Sequence, residues 1–228
     1  MAVNDPHRAA EPGLRQRKKL QTRQLIADTA WRLFIDRGFD AVTVAEVARE
    51  ADVSEGTVFN YYPTKEDLFY ARMEAFEAEL LDAARERAPG ESFLTAFGRF
   101  LLGMLEERGL LASADKETGD RLVAVSRVIT DSPALLAREQ QIFDRYTASL
   151  AALMGKETSA AEGDVESWVA ANALMGVHRG LLDYTRRSVL AGARNPRLGR
   201  DVRGQGERSL ALLREGLGGY GANSVRSP

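Results

Sequence analysis

Residues 43–68 read TVAEVAREADVSEGTVFNYYPTKEDL, and this stretch decides the fold of the N-terminal part of the chain. Thr43 and Glu46 have the spacing of a capping box, in which each side chain accepts a hydrogen bond from the other residue's backbone amide. A short helix is therefore predicted to begin after Thr43. Ser54, a favoured N-cap residue, predicts the start of a second short helix, and Pro63 stops it.

The segments around this pair are also helical in pattern. Ile26, Ala30, Leu33 and Phe34 recur on one face of a preceding helix that ends at Gly38. Between the two short helices, the turn at residues 51–53 is expected to place Asp52 in the left-handed region, which aspartate tolerates better than most residues. A fourth helix is predicted after the N-cap Thr64. It runs to about Arg87, where Ala88-Pro89-Gly90 breaks it.

The remainder predicts further helices and no strand, so the predicted fold class is all-α. An apolar helical face follows residue 92, and helices are expected near 116–130, 134–154, 164–190 and 199–216. The predicted organisation has four parts: a basic flexible arm at 1–19, a helical segment at 20–66 that contains the two short helices, a larger helical segment at 67–217, and a frayed tail at 218–228.

Two short helices joined by a three-residue turn are the geometry of a helix-turn-helix, whose second helix enters the major groove of DNA. Spacing alone leaves an ordinary helical hairpin as an equal alternative. The residues themselves, Thr43 to Ala48 and Val53 to Leu68, together with Ala30, Phe34 and the Gly38-Phe39 helix end, resemble the TetR family of regulators. The resemblance is specific over about residues 20–70.

The resemblance implies a particular architecture and function. The N-terminal three-helix head would be a helix-turn-helix DNA-binding domain at 20–66. A long helix would join it to a larger helical body at 67–217, the ligand-binding and dimerisation domain. The protein would be a ligand-released transcriptional repressor that binds a pseudo-palindromic operator in double-stranded DNA as a homodimer. Its operator, its effector and the choice between repression and activation stay open.

DNA-binding roles follow residue by residue from that resemblance. Free amides and hydroxyls at the start of the second short helix can hold phosphate, and an asparagine can pair with a base edge. Glu55 either reads a cytosine amino group or points away, and Phe59 and Tyr62 are interpreted as core. Thr43 and Ser54 have the alternative of being caps only. The predicted contact residues are Arg17, Lys18, Thr43, Ala45, Ser54, Glu55, Gly56, Thr57, Asn60, Tyr61 and Lys65.

Charge is distributed unevenly along the chain. The net charge of −2 argues against indiscriminate coating of nucleic acid. From Arg8 to Arg23, however, six basic residues stand against the single acidic Glu11. A basic arm of this kind is able to contact phosphates, and a solvated tail is the alternative.

Two sites are expected in the body. A stripe of aromatic, methionine and isolated polar residues predicts an effector pocket, with ordinary core as the alternative: Phe97, Phe100, Met104, Tyr146, Trp168, Asn172, Met175 and Arg179. Arg179 inside it would favour an acidic effector, unless it pairs with Asp183. Small and apolar residues on the last two helices predict a dimer interface, with intrachain core as the alternative: Gly176, Gly180, Leu210, Leu213 and Leu217.

Other classes are weakly supported. The chain has no cysteine, its His178 has no partner at metal-binding spacing, and no nucleophile–base constellation stands out, so an enzyme, a metal site and a cofactor are not predicted. The Gly-rich stretches at 204–206 and 216–219 do not follow strands, which disfavours dinucleotide binding. The sequence contains no run of about 20 apolar residues, the length needed to cross a bilayer, so no membrane span is predicted. A cytoplasmic regulator is expected, and an interaction module without DNA is the third class.

Overall fold

The computed structural model describes residues 13–107, 116–158, 165–194 and 196–216. Within those ranges the chain forms helices without strands, which confirms the all-α class. The helices are α1 Leu14–Arg37, α2 Val44–Glu50, α3 Glu55–Tyr61, α4 Lys65–Tyr70, α5 Ala75–Arg85, α6 Phe93–Glu107, α7 Lys116–Asp131, α8 Pro133–Glu157, α9 Val165–Leu190 and α10 Arg197–Glu215, with a 3₁₀ turn at Ala71–Met73.

The first helix begins earlier than the sequence pattern predicts. The expected flexible arm at residues 1–19 ends instead at Gly13, because residues 14–19 form the first turns of α1. The reason is local: residues 14–37 contain neither glycine nor proline and are rich in Arg, Lys, Leu and Gln, all good helix formers. Residues 1–12 lie outside the described residues, as does the predicted frayed tail at 218–228.

The predicted long helix from Thr64 to Arg87 is interrupted. It divides into α4, the 3₁₀ turn and α5, and the chain separates into two compact units between Arg72 and Met73 rather than at the predicted boundary after residue 66. No glycine or proline lies between residues 65 and 85 to mark the break. The interruption occurs where the chain leaves one hydrophobic core and enters another.

The N-terminal unit, here called the head, is built around an aromatic core. The side chains of Phe34, Phe39 and Phe69 form it, with ring centroids 5.1 Å apart for Phe34 and Phe39 and 6.0 Å for Phe39 and Phe69. Ile26 and Val58 are fully buried beside them. This core holds α2 and α3 against α1 and α4.

The C-terminal unit, here called the body, packs α8 against α9 and α10 against both α6 and α9. Two glycines allow α10 to approach closely. A Cβ at Gly98 would lie 3.0 Å from Leu210 Cδ1, and one at Gly206 would lie 3.0 Å from Leu102 Cδ2 and 3.3 Å from Leu181 Cδ1. These contacts fix α10 on α6 and α9.

Candidate nucleic-acid interface

Both short helices of the head begin with the caps that the sequence predicts. Thr43 Oγ1 accepts from the Glu46 amide at 3.2 Å, and Glu46 Oε2 accepts from the Thr43 amide at 2.8 Å, so the capping box is confirmed. Ser54 Oγ accepts from the Thr57 amide at 3.1 Å. Between them Asp52 has a φ of 53°, the left-handed conformation expected for this turn.

The third helix has a clear inner and outer face. Val58 and Tyr62 are buried, and the Tyr62 hydroxyl donates to the Arg23 carbonyl at 3.2 Å, which ties the end of α3 to α1. Because helical residues advance by about 100°, Gly56 and Asn60 lie nearly opposite Val58, Phe59 lies about 100° from it, and all three are exposed. The end of α3 is therefore bonded to α1, while Gly56, Phe59 and Asn60 stay exposed to solvent.

The eleven predicted DNA-contact residues are all accessible. Eight are exposed, namely Arg17, Lys18, Thr43, Ala45, Ser54, Glu55, Gly56 and Asn60, and three are partly exposed, namely Thr57, Tyr61 and Lys65. Arg17 and Lys18 lie on α1 rather than on an arm, so their positions are tied to a helix. No bound DNA tests these roles, and they remain predictions.

Lys65, expected to anchor a phosphate, is held against the head's own aromatic core. Its Nζ lies 4.2 Å from the Phe39 ring centroid and 5.8 Å from that of Phe34. Burial lowers the pKa of Lys65 from its ordinary value of 10.5, although Asp40 and Glu66 nearby favour the charged form. The residue therefore also stabilises the start of α4 through cation–π contacts.

Glu46 is the most strongly perturbed acid of the head. The hydrogen bond from the Thr43 amide, together with those from Arg37 and the Thr43 hydroxyl, lowers its pKa from 4.5 to about 2. Arg37 Nη2 lies 2.8 Å from Glu46 Oε1 and so connects the end of α1 to the first turn of α2. This carboxylate serves the architecture of the motif rather than a chemical reaction.

The interpretation of Phe59 as a core residue is wrong. Its side chain is 47% exposed, while the head core closes without it around Phe34, Phe39 and Phe69. Tyr62, interpreted in the same way, is indeed buried. Tyr62 follows α3 as its C-cap with an extended backbone, φ −134°, so it leaves the helical register, and its hydroxyl reaches the Arg23 carbonyl on α1. Phe59 lies inside the helix and stays exposed.

The eight residues of the predicted effector pocket differ in their burial, and their role stays a prediction. Phe97, Tyr146 and Met175 are buried in the core, whereas Trp168 and Asn172 lie on the outside of α9. Phe100 stacks near Phe76 with ring centroids 5.4 Å apart, and Met104 is partly buried. The burial of Phe97, Tyr146 and Met175 agrees with the alternative of ordinary core, whereas the exposure of Trp168 and Asn172 does not.

Arg179 does not point into a cavity. Its Nη2 lies 3.7 Å from Asp144, and its guanidinium lies 4.9 Å from the Phe143 ring centroid. The pairing with Asp183 proposed from the sequence is not the one observed, because Asp183 instead lies 3.7 Å from Arg186. The inference of an acidic effector loses its basis.

A cavity of about 380 Å³ does open in the body, between α6, α8, α9 and α10. Its lining consists of Phe93, Leu94, Met154, Thr158, Glu166, Ser167, Ala170, Ala173, Leu174 and Leu213. None of the eight predicted residues belongs to it. Its five α9 members are Glu166, Ser167, Ala170, Ala173 and Leu174, and a pattern of aromatic and methionine side chains does not mark this face of the helix.

The predicted dimer residues divide into two groups. Gly176 and Gly180 are exposed, a Cβ added to either would meet nothing within 4 Å, and both line an open groove between α9 and α10 that includes Leu213. Leu210 is buried against Gly98 within the chain, so its assignment to a subunit interface is corrected. Leu217 lies outside the described residues.

Two negative findings apply to the described ranges. No helix in them is both long and apolar enough to cross a bilayer. The same ranges contain no cluster of three or more His, Cys, Asp or Glu side chains arranged to hold a metal ion.

Comparison with known proteins gives one consistent group. Residues 26–71 match the profile of bacterial regulatory proteins of the tetR family. The HTH-type transcriptional regulator TcmR of Streptomyces glaucescens is 31% identical over 151 residues, covering 63% of this chain and 65% of TcmR. The nucleoid occlusion factor SlmA of Pasteurella multocida is 29% identical over 128 residues, covering 56% of this chain and 62% of SlmA. The matches thus span less than two thirds of either relative.

Solved structures agree in fold. NalD, the secondary repressor of the MexAB-OprM multidrug efflux pump in Pseudomonas aeruginosa, superposes with a TM-score of 0.54 at 18% identity, covering 86% of this chain and 96% of NalD. These relatives are regulators, in agreement with the non-enzymatic class predicted from the sequence. Residues 26–71, which contain the capped helix-turn-helix, are therefore similar to the tetR family of bacterial regulatory proteins, and the transcriptional regulator TcmR extends that similarity to 63% of the chain.

Proposed function

We propose that this protein is a sequence-specific transcriptional regulator that binds a pseudo-palindromic operator as a homodimer and is released by a small-molecule effector. The observation that carries the proposal is the outward face of α3, where Gly56, Phe59 and Asn60 are exposed over a fully buried Val58. Such a face is free to enter a major groove without unfolding the head.

The surroundings of α3 suit a phosphate backbone. Gly56 carries no side chain, so the backbone of α3 can approach DNA closely, and the Ser54 and Thr57 hydroxyls lie 2.8 Å apart at the start of the helix. The exposed Arg17 and Lys18 on α1 supply positive charge. Phosphate contacts of this kind position a protein, while base contacts from a residue such as Asn60 specify the sequence.

The groove between α9 and α10 supports the homodimer. The residues Val165, Val169, Asn172, Gly176 and Gly180 recur every three or four positions along α9, and all are exposed in the isolated chain. Val169 is 61% exposed, and among the described residues no side chain lies within 4 Å of a Cβ built on Gly176 or Gly180. Two glycines in a helix interior cost roughly 1 kcal/mol each against alanine, and close approach of a partner helix compensates for that cost.

The cavity between α6, α8, α9 and α10 supports the effector site. Its volume of about 380 Å³ falls in the range of small-molecule pockets. Glu166 is the one ionisable residue of its lining, so an apolar ligand with a cationic or hydrogen-bond-donating group is the favoured class. Ala173 and Leu213 line both this cavity and the groove, so that a ligand would act on helices that also form the proposed dimer face.

DNA binding is tested by selection from randomised duplexes followed by titration at several salt concentrations. We expect a two-fold symmetric consensus, a dimer in the complex and an affinity that falls steeply with salt, because phosphate contacts release counterions. Equal affinity for selected and scrambled duplexes would overturn the proposal.

The effector site is tested separately with a hydrophobic quaternary ammonium compound. We expect it to weaken operator binding of the wild type, and Ala170→Trp, which would fill the cavity from α9, to abolish that effect while leaving operator affinity without ligand unchanged. Because coupling is reciprocal, operator DNA should weaken ligand binding by the same factor. Full ligand response in Ala170→Trp would place the effector elsewhere.

A further inference from the structure

Phe59 differs from every other phenylalanine of this protein. The sequence has nine, and among them only Phe59 is exposed; the others are buried or partly buried. The head core is complete without it, since Trp31, Phe34, Phe39, Phe69 and Tyr70 contact one another with centroid distances between 5.1 and 6.1 Å. Its ring therefore contributes nothing visible to the stability of the isolated head.

The position of Phe59 on α3 gives its exposure a direction. It lies three residues after Gly56 and next to Asn60, on an exposed side of the helix about 100° around from Val58. Side chains of a helix lean toward its N-terminus, so the ring covers surface beside the bare backbone at Gly56. A Cβ at Gly56 would meet only Ser54 Oγ, at 3.8 Å, which leaves the space in front of that turn open.

The chemistry of the ring narrows what it is able to recognise. A phenylalanine has no hydroxyl and cannot donate to a phosphate or to a base edge. In the major groove, the apolar group that distinguishes base pairs is the C5-methyl of thymine. We infer that Phe59 is a specificity-determining residue that contacts a thymine methyl in each half-site of the operator. This inference rests on the proposed DNA-binding function.

The inference assigns distinct tasks to two adjacent side chains. Asn60 offers an amide that pairs with donors and acceptors of a base edge, while Phe59 offers only an apolar surface. The half-site preferred by this protein therefore contains at least one thymine whose methyl, rather than its hydrogen-bonding edge, is recognised.

Replacing thymine by deoxyuridine tests this directly, because the two bases differ only by the methyl group. In the operator selected by the wild-type protein, each thymine of the half-site is replaced in turn and the affinity is measured. Removing one buried methyl is expected to weaken binding about fourfold in one half-site and about 15-fold when both half-sites are changed. The effect should be confined to one or two positions.

Variants of the full-length protein, measured on the thymine and deoxyuridine operators, test the role of Phe59 itself. Phe59→Ala should bind thymine and deoxyuridine operators equally, and Phe59→Leu, which keeps an apolar side chain, should retain part of the discrimination. Asn60→Ala is the matched control: it should change base preference elsewhere and keep the thymine-to-deoxyuridine ratio. Thermal unfolding of Phe59→Ala should match that of the wild type, since the ring lies outside the core.

The outcomes separate this inference from the function on which it rests. A wild type that binds no selected sequence would overturn both. A wild type that binds its operator specifically but tolerates deoxyuridine at every thymine would overturn the role of Phe59 and leave the DNA-binding function standing. Full discrimination in Phe59→Ala, or a selected half-site without thymine, would do the same.

Discussion

The substitution Gly176→Leu should affect the stability of the single chain and the stability of the proposed dimer in opposite directions. In the isolated chain a Cβ at Gly176 has no neighbour within 4 Å, so the new side chain should not disturb the body. Leucine is also a better helix former than glycine, by up to about 1 kcal/mol. The free energy of unfolding of the single chain, measured in urea at low protein concentration, should therefore stay level or rise.

The proposed dimer should respond in the opposite direction. Overpacking a helix contact costs typically 1–3 kcal/mol, and a two-fold interface contains the substitution twice. The combined cost of about 2–6 kcal/mol corresponds to a dissociation constant raised about 30-fold to 10⁴-fold. Sedimentation velocity over a concentration series measures this shift, and operator affinity should fall with it.

Gly206→Leu is the matched control on α10. There a Cβ would already lie 3.0 Å from Leu102 Cδ2 and 3.3 Å from Leu181 Cδ1, so leucine should destabilise the chain itself by about 1–3 kcal/mol. If Gly176→Leu sediments as the wild type does and keeps full operator affinity, the groove between α9 and α10 is not the subunit interface.

Three further outcomes are expected in the head and the body. Asn60→Ala should relax base preference at one or two positions by about 1–3 kcal/mol, as selection from random DNA would report, whereas Thr57→Ala should weaken binding to all sequences alike. Because the pKa of Glu46 is lowered from 4.5 to about 2, its contribution to stability is present above pH 4.5 and is lost as the pH falls toward 2. Acid unfolding followed by circular dichroism measures this loss of stability, and Glu46→Gln should not show it. Glu139→Ala should destabilise the body by about 3–5 kcal/mol in urea, because it leaves the largely buried Arg186, now 2.6 Å from that carboxylate, without its main partner.

Local sequence signals account for much of the secondary structure of this protein. The caps at Thr43 and Ser54, the left-handed Asp52 and the ends of the helices in the body are all decided within a few residues, by hydrogen bonds and backbone sterics that any neighbouring fold would preserve. For the same reason the predicted span at 164–190 agrees with the observed Val165–Leu190. The identities of the residues between 43 and 68 then indicated the resemblance to the tetR family.

The distribution of side chains between core, cavity and surface was decided only by the tertiary structure. Phe59 lies within α3 and Tyr62 is the extended C-cap residue that follows it; α1 buries Tyr62, whereas Phe59 is exposed. Gly176 and Gly206 are both helix-interior glycines, but only Gly206 is crowded, because α6 and α9 meet α10 at that level. Helical periodicity states which residues share a face. Which face meets another helix depends on contacts between residues distant in sequence, and no local pattern contains that information.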